Sequence, residues 1–208
     1  MKHEWRKLEK QIYLPKSVAV IEVPNFKFLT LTGNGNPNES EFGDRVGALY
    51  ALSYAVRFAL KKGELGNDPY EYTVYPLEGV WTLPDKPTGE INKDDLIYKI
   101  MIRQPDQVTA SMIDDLQGAT ATKKRNNLIN DIKFEEYTED KSIQALHVGP
   151  YDSETATFSM MNKQLDELGL KQVPTMGKYQ HREIYLSDPR KVAPEKQKTV
   201  LRWRVAEK

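Results

Sequence analysis

The apolar residues of this chain follow two rhythms, a strand rhythm and a helix rhythm, and the same order of rhythms is run through twice. Ser17 to Glu22 and Phe26 to Thr32 are rich in β-branched and aromatic residues, as strands are. Gly33-Asn34-Gly35-Asn36-Pro37-Asn38 then supplies only turn residues. Asn38 with Glu41 three positions on reads as a helix start. Phe42, Val46, Leu49, Val56 and Leu60 recur at three, four and seven, giving one apolar face to about Lys62, before Gly63 and Gly66. Strand composition returns from Tyr72 to Trp81 and from Leu96 to Ile102. The second passage runs Ile143 to Val148, Gly149-Pro150, Asp152-Ser153-Glu154, then a helix with Phe158, Met161, Leu165 and Leu168 that stops at Gly169. His181 to Leu186 and Val200 to Val205 complete it. Counting back from Pro84 and Pro189 puts Glu78 and Glu183 in equivalent places.

Two copies of strand–helix–strand–strand predict an α+β fold. The pseudo-symmetric units, about 17–103 and 141–206, share one antiparallel sheet, with the helices 41–62 and 154–168 on the same side, in a single domain spanning 1–208. Repeats that meet on a pseudo-twofold axis leave a cleft, and ligands favour clefts. Residues 104–139 have no counterpart in the second copy. There Val108, Met112 and Leu116, four apart, predict a short helix broken at Gly118, and Lys123 to Ile132 predicts another. This insertion fits two roles, a lid or flank over the cleft, or packing on one edge. Residues 1–15, around Trp5, Leu8, Ile12 and Tyr13, read as a short arm packed on the body.

Composition narrows the function. Among 208 residues, 30 basic and 30 acidic side chains leave no net charge, whereas duplex-binding proteins carry a basic excess, so nucleic acid is not an expected partner. Lys123-Lys124-Arg125 reads as a solvated helix face. The absence of cysteine excludes disulfides, thiolate catalysis and Cys-ligated metals. His3, His147 and His181 are scattered, and neither metal-ligand spacing nor a phosphate loop occurs, so no metal and no cofactor are expected. No serine lies in a Gly-x-Ser-x-Gly setting, which argues against an acyl-transfer triad. The N-terminus lacks a signal-like apolar run, and no window approaches the ~18 apolar residues of a membrane span. These features predict a cytoplasmic protein without membrane contact; nothing in the sequence sets an oligomeric state.

The chemistry concentrates on one strand. His181, Glu183 and Tyr185 alternate with Arg182, Ile184 and Leu186, and successive strand side chains point to opposite faces. With Ile184 and Leu186 towards the core, Glu183 and Tyr185 face solvent or a cleft. An exposed strand glutamate is the plain reading, and the repeated Glu78 weighs against it. A carboxylate in an aromatic cleft binds a cation, accepts a proton or orients water, and burial raises its pKa towards that task. In Glu78-Gly79-Val80-Trp81, strict alternation sets Trp81 opposite Glu78, whereas a bulge at Gly79 brings both to one side. Trp81 is then either a core residue or an aromatic wall for a flat ligand. Tyr50, Tyr54 and Arg57, at i, i+4 and i+7 beside the core stripe, are either pocket lining or a half-buried flank.

His147-Val148-Gly149-Pro150-Tyr151, a helix, and Glu183-Ile184-Tyr185-Leu186-Ser187-Asp188-Pro189 together resemble the gyrase-inhibitor-like (GyrI-like) small-molecule-binding domain. The resemblance covers about 17–206 and is looser in the first copy. It implies two strand–helix–strand–strand units and a small-molecule aromatic ligand. Family members include drug-sensing domains of transcription regulators, in which a glutamate at the position of Glu183 meets cationic aromatic ligands. The DNA-binding helices that precede such domains are not seen here, so a stand-alone member is expected. Leu77-Glu78-Gly79-Val80-Trp81 and the inserted helices resemble a branch that includes bacterial hydrolases of cyclopropanoid DNA-alkylating compounds, acting in detoxification. That likeness implies that Glu183 holds or deprotonates water, that Trp81 and nearby tyrosines stack on a planar ligand, and that a hydroxyl, Tyr151 or Tyr185, donates to a ketone oxygen. Glu78, Tyr50, Tyr54, Arg57 and His181 complete the expected ligand-binding set. The alternative is a multidrug-type binding or sensing protein without turnover.

Overall fold

The structure, a computed structural model, describes residues 2–66, 68–84 and 91–208. In chain order the elements are α1 (Trp5–Leu8), α2 (Lys10–Tyr13), β1 (Ala19–Asn34), α3 (Ser40–Lys62), β2 (Leu77–Thr82), β3 (Ile97–Gln104), α4 (Ala110–Lys124), β4 (Lys133–Val148), α5 (Thr155–Leu168), β5 (Leu170–Val173), β6 (His181–Tyr185) and β7 (Lys198–Glu207). The pairs β1–β3, β4–β7, β5–β7 and β6–β7 are all antiparallel. The fold class is α+β.

Several boundaries differ from the sequence expectation for local reasons. The strands expected at 17–22 and 26–32 are one 16-residue strand, β1. Pro24 is exposed within it, where its missing N–H costs the ladder little. The strand expected from Tyr72 begins only at Leu77, since Tyr72 makes a single bridge with His3 and Pro76 offers no donor. Helix α3 has Glu39 rather than Asn38 at its N-cap position, without a side-chain cap bond, and the Asn38 N–H is held by Asn36 Oδ1 at 3.1 Å. Helix α4 passes through Gly118 instead of breaking there. Its first turn is fixed by Thr109, which accepts from the Met112 N–H, and it buries Ile113, Thr120 and Ala121. Of the second inserted helix only the 3₁₀ turn Asn127–Asp131 forms, and β4 already starts at Lys133. Strand β5, Leu170–Val173, lacks the apolar–polar alternation that marks a strand, because Lys171 and Gln172 are adjacent and both exposed.

The chain folds into two compact units. The first holds the described residues up to Trp5, of Phe26–Leu77 and of Leu83–Tyr137. Here α3 packs on β3, α4 and the 3₁₀ turn. Leu49, Leu52, Val56 and Leu60 of α3 are buried, as are Ile100, Ile102, Ile113 and Ile129. The insertion is thus a flank of α3. Trp5 anchors the N-terminal arm, buried and donating from Nε1 to the Val74 carbonyl at 3.0 Å.

The second unit holds Arg6–Asn25, Glu78–Thr82 and Thr138–Lys208. Strand β7 is flanked by β4, β5 and β6, and α5 packs on β5. Its core joins Ile143, Ala145, Met161, Leu165, Leu170, Leu201, Trp203 and Val205, with Val18, Val20 and Phe158 packed against it. Phe158 stacks on Trp203 at 5.1 Å between ring centres, nearly parallel. Glu78–Thr82 belongs to the first repeat in sequence but to this second unit in space. That placement sets β2 beside β6.

Candidate functional site

The alternation of β6 comes out as the pattern requires. Arg182 and Ile184 are buried, and His181, Glu183 and Tyr185 are half-buried on the other face. On that face four side chains form a hydrogen-bonded row. The Trp81 indole N–H donates to the Tyr185 hydroxyl at 3.0 Å. The Tyr185 hydroxyl donates to Glu183 Oε2 at 2.8 Å. Glu183 Oε1 lies 2.8 Å from His181 Nε2, which carries the proton when the carboxylate is ionised. The Glu183 side chain keeps only 13% of its surface exposed, so it is reachable but largely screened from bulk water.

Gly79 makes the row possible. A Cβ there would sit 2.8 Å from Trp81 Nε1 and 3.2 Å from the Tyr185 hydroxyl. Gly79→Ala is therefore expected to part the indole from the phenol and to destabilise the protein by about 1–3 kcal/mol, the usual cost of overpacking. A chemical-denaturation curve superimposable on that of the wild type would contradict this.

Aromatic side chains wall the row. The Tyr151 ring stands edge-on to Tyr185, centres 6.0 Å apart, and Phe158 stands edge-on to His181 at 5.4 Å. Burial, then the Glu183 charge, holds the Tyr185 phenol well above its ordinary pKa, so it stays a donor. Burial, then Glu183, Glu154 and Asp188, pushes the Tyr151 phenol up to about 12. The turn that carries Tyr151 is locked by His147. Its Nδ1 meets Thr157 Oγ1 at 2.9 Å, and its Nε2 meets Ser153 Oγ and the Pro150 carbonyl at 3.1 Å each.

The other expected site residues lie elsewhere. Glu78 is buried, and its Oε2 accepts from Arg182 Nη1 at 2.7 Å. Arg182 also donates from Nε to Glu139 Oε1 at 3.0 Å, and Arg202 Nη1 donates to Glu139 Oε2 at 3.2 Å. Counting from the prolines made Glu78 and Glu183 equivalent, yet one sits in a buried ion cluster and the other on the aromatic face. Tyr50, Tyr54 and Arg57 lie on α3 in the first unit. Tyr50 is half-buried and Tyr54 exposed, while Arg57 donates to the Tyr72 carbonyl at 2.9 Å and pairs with Glu71 at 3.6 Å. Sequence reasoning missed Glu154: the run Asp152-Ser153-Glu154 reads only as the polar start of the helix 154–168. Glu154 is buried at the start of α5, and burial, then Glu183 and Asp152, pushes its carboxyl up to about 9. That run gives no sign that the last carboxyl turns inward.

The model of the GyrI-like small molecule binding domain matches residues 16–206. The chain belongs to this family. Among solved structures, this GyrI-like chain is similar to an uncharacterized conserved protein from Listeria innocua, at 33% identity and a TM-score of 0.89 over 98% of this chain and 100% of that one. It is equally similar in sequence, 33%, to a hydrolase from Listeria innocua, with a TM-score of 0.86 over 98% of this chain and 100% of that one. The EcmrR C-terminal domain shares the fold, at 14% identity and a TM-score of 0.53 over 95% of this chain and 99% of that one. Comparison with curated proteins gives no match. Among the described residues no helix is long and apolar enough to cross a membrane.

Proposed function

We propose that this GyrI-like protein binds planar aromatic or amphipathic molecules against the Trp81–Tyr185–Glu183–His181 face of β6 and hydrolyses electrophilic cyclopropanoid compounds among them, as a detoxifying activity. The observation that carries this reading is the hydrogen-bonded row around a screened carboxylate. A carboxylate has about four lone-pair sites, so each Glu183 oxygen keeps one for water beyond its present partner. Tyr185 and His181 fix the carboxylate, and Tyr185 acts as a positioning residue. The reaction is an addition of water to a cyclopropane fused to a dienone. As the water oxygen bonds to the ring CH₂, Glu183 takes one water proton. The cyclopropane C–C bond breaks, its electron pair moves through the ring, and the carbonyl oxygen takes up one proton to end as a phenol. The hydrolase among its similar structures supports the reaction class.

A second reading, binding without turnover, draws on the fact that both Glu183 oxygens already accept hydrogen bonds, as in a fixed counter-charge for a cation. Incubation with a spirocyclopropyl cyclohexadienone separates the two. The hydrolytic reading expects a phenol heavier by one water in the mass spectrum, formed faster than in buffer. Unchanged substrate, with tight binding of a planar organic cation, would favour the second reading.

A further inference from the structure

Glu154 opens α5 directly after the 3₁₀ turn Tyr151–Ser153. It is 8% exposed, and its Oε1 has no hydrogen-bond partner. An ionised side chain at a helix start ordinarily turns back to accept from the amides of the first turn. Glu154 makes no such cap bond. Its backbone is satisfied without it, the N–H donating to the Tyr151 carbonyl at 3.1 Å and the carbonyl accepting from the Phe158 N–H at 2.9 Å. The groups that face the carboxyl are Glu183 and Tyr185 from β6, and Asp152 and Tyr151 from the preceding turn. Two of these are acids and two are phenols, so none supplies a positive charge. A carboxylate there would be desolvated beside other carboxylates, which is the arrangement that keeps a proton on. A neutral carboxyl carries an O–H donor, and a buried donor left unmade is costly.

Two of the other donors of the face are engaged within it, and the Tyr151 hydroxyl is a second donor beside Glu154, which the Glu154 variants and the pH series below separate from it. The Tyr185 proton lies on Glu183, and the Trp81 indole N–H points to Tyr185. We infer that Glu154 is a neutral carboxylic acid that hydrogen-bonds a carbonyl oxygen of the bound ligand, so that the site selects planar ketones over hydrocarbons of the same shape. The inference rests on the small-molecule reading above. In the hydrolytic form of that reading, this is the oxygen on which negative charge develops, where a preorganised donor has its largest effect.

Equilibrium dialysis with 9-fluorenone and fluorene tests it, since the two probes differ only in the carbonyl. Wild-type protein is expected to prefer the ketone by about tenfold at pH 7, the scale of one hydrogen bond. The preference should disappear between pH 7 and pH 10 as Glu154, at about 9, loses its proton, while Tyr151, at about 12, keeps its own. Glu154→Gln retains an N–H donor and should keep the preference at both pH values. Glu154→Leu should lose it at both. An unchanged preference from pH 7 to pH 10, a Leu variant that still favours the ketone, or no binding of either probe would overturn the inference. Ketone preference without hydrolysis of a cyclopropanoid dienone would defeat the hydrolytic reading alone. Hydrolysis without ketone preference would defeat the Glu154 assignment alone.

Discussion

Arg182→Met is expected to lower stability by about 3–5 kcal/mol, the scale found when one partner of a buried ion pair is removed. Arg182 is 1% exposed and bridges two carboxylates, Glu78 at 2.7 Å and Glu139 at 3.0 Å. Without it, Glu78 loses its partner and Glu139 keeps Arg202 at 3.2 Å. The pH dependence gives the loss a signature. Burial works against the Glu139 carboxylate, but Arg182 and Arg202 outweigh it and hold its pKa below the ordinary value. Its contribution is therefore present above the unfolded carboxylate pKa and is lost as pH falls through the lower folded value. Glu78 goes the other way, raised by burial against the pull of Arg182 and Arg202. Its contribution is complete below the unfolded pKa and is lost as pH rises through the raised folded one. Removing Arg182 takes away a cation that lowers both carboxyls, so both shift upward. The variant should thus lie closest to the wild type at about pH 4 and fall away towards pH 7. Adding Glu78→Gln should recover part of the deficit, because the two sites share one interaction. Urea midpoints at the two pH values report this directly. A deficit below about 1 kcal/mol, or one independent of pH, would show that the cluster is not held as described.

The second large effect belongs to Glu183. Changing Glu183→Gln keeps the shape of the side chain and removes the proposed base. Turnover of a cyclopropanoid dienone should fall roughly 10²-fold or more, the usual scale for loss of general-base catalysis. Affinity for a neutral planar ligand should stay similar, because the aromatic walls, Trp81, Tyr151 and Tyr185, are untouched. If the protein only binds, affinity for cationic aromatics should drop instead. A variant unchanged in both respects would make Glu183 an ordinary strand residue.

What the sequence disclosed was set by local rules. The helix ends at Gly63 and Gly169 are both left-handed glycines that stop helices where the apolar spacing stops. The period of two along His181–Tyr185 put Glu183 and Tyr185 on one face without any tertiary information. Partners across the chain were another matter. Alternation assigned Arg182 to the core face of Ile184 but carried no hint that Glu78 and Glu139 would meet it there, from residues 104 and 43 positions away. Matching the two copies by count made Glu78 a mirror of Glu183, and it missed that Glu78–Thr82 joins the second unit. The same event delivers Trp81 to Tyr185, a pairing that no local rule along the chain makes visible. Glu154 was hidden for a different reason. An acidic residue before a helix is so common as a cap that its burial shows only once β6 is set against it.

The most direct test is a single-turnover reaction in ¹⁸O-enriched water, with a spirocyclopropyl cyclohexadienone as substrate and product followed by mass spectrometry. With wild-type protein, one ¹⁸O atom is expected on the former ring CH₂. With Glu183→Gln the same product is expected, slowed roughly 10²-fold or more. Equal rates for the two proteins, or opening no faster than in buffer, would contradict the role of Glu183 as the base that activates water.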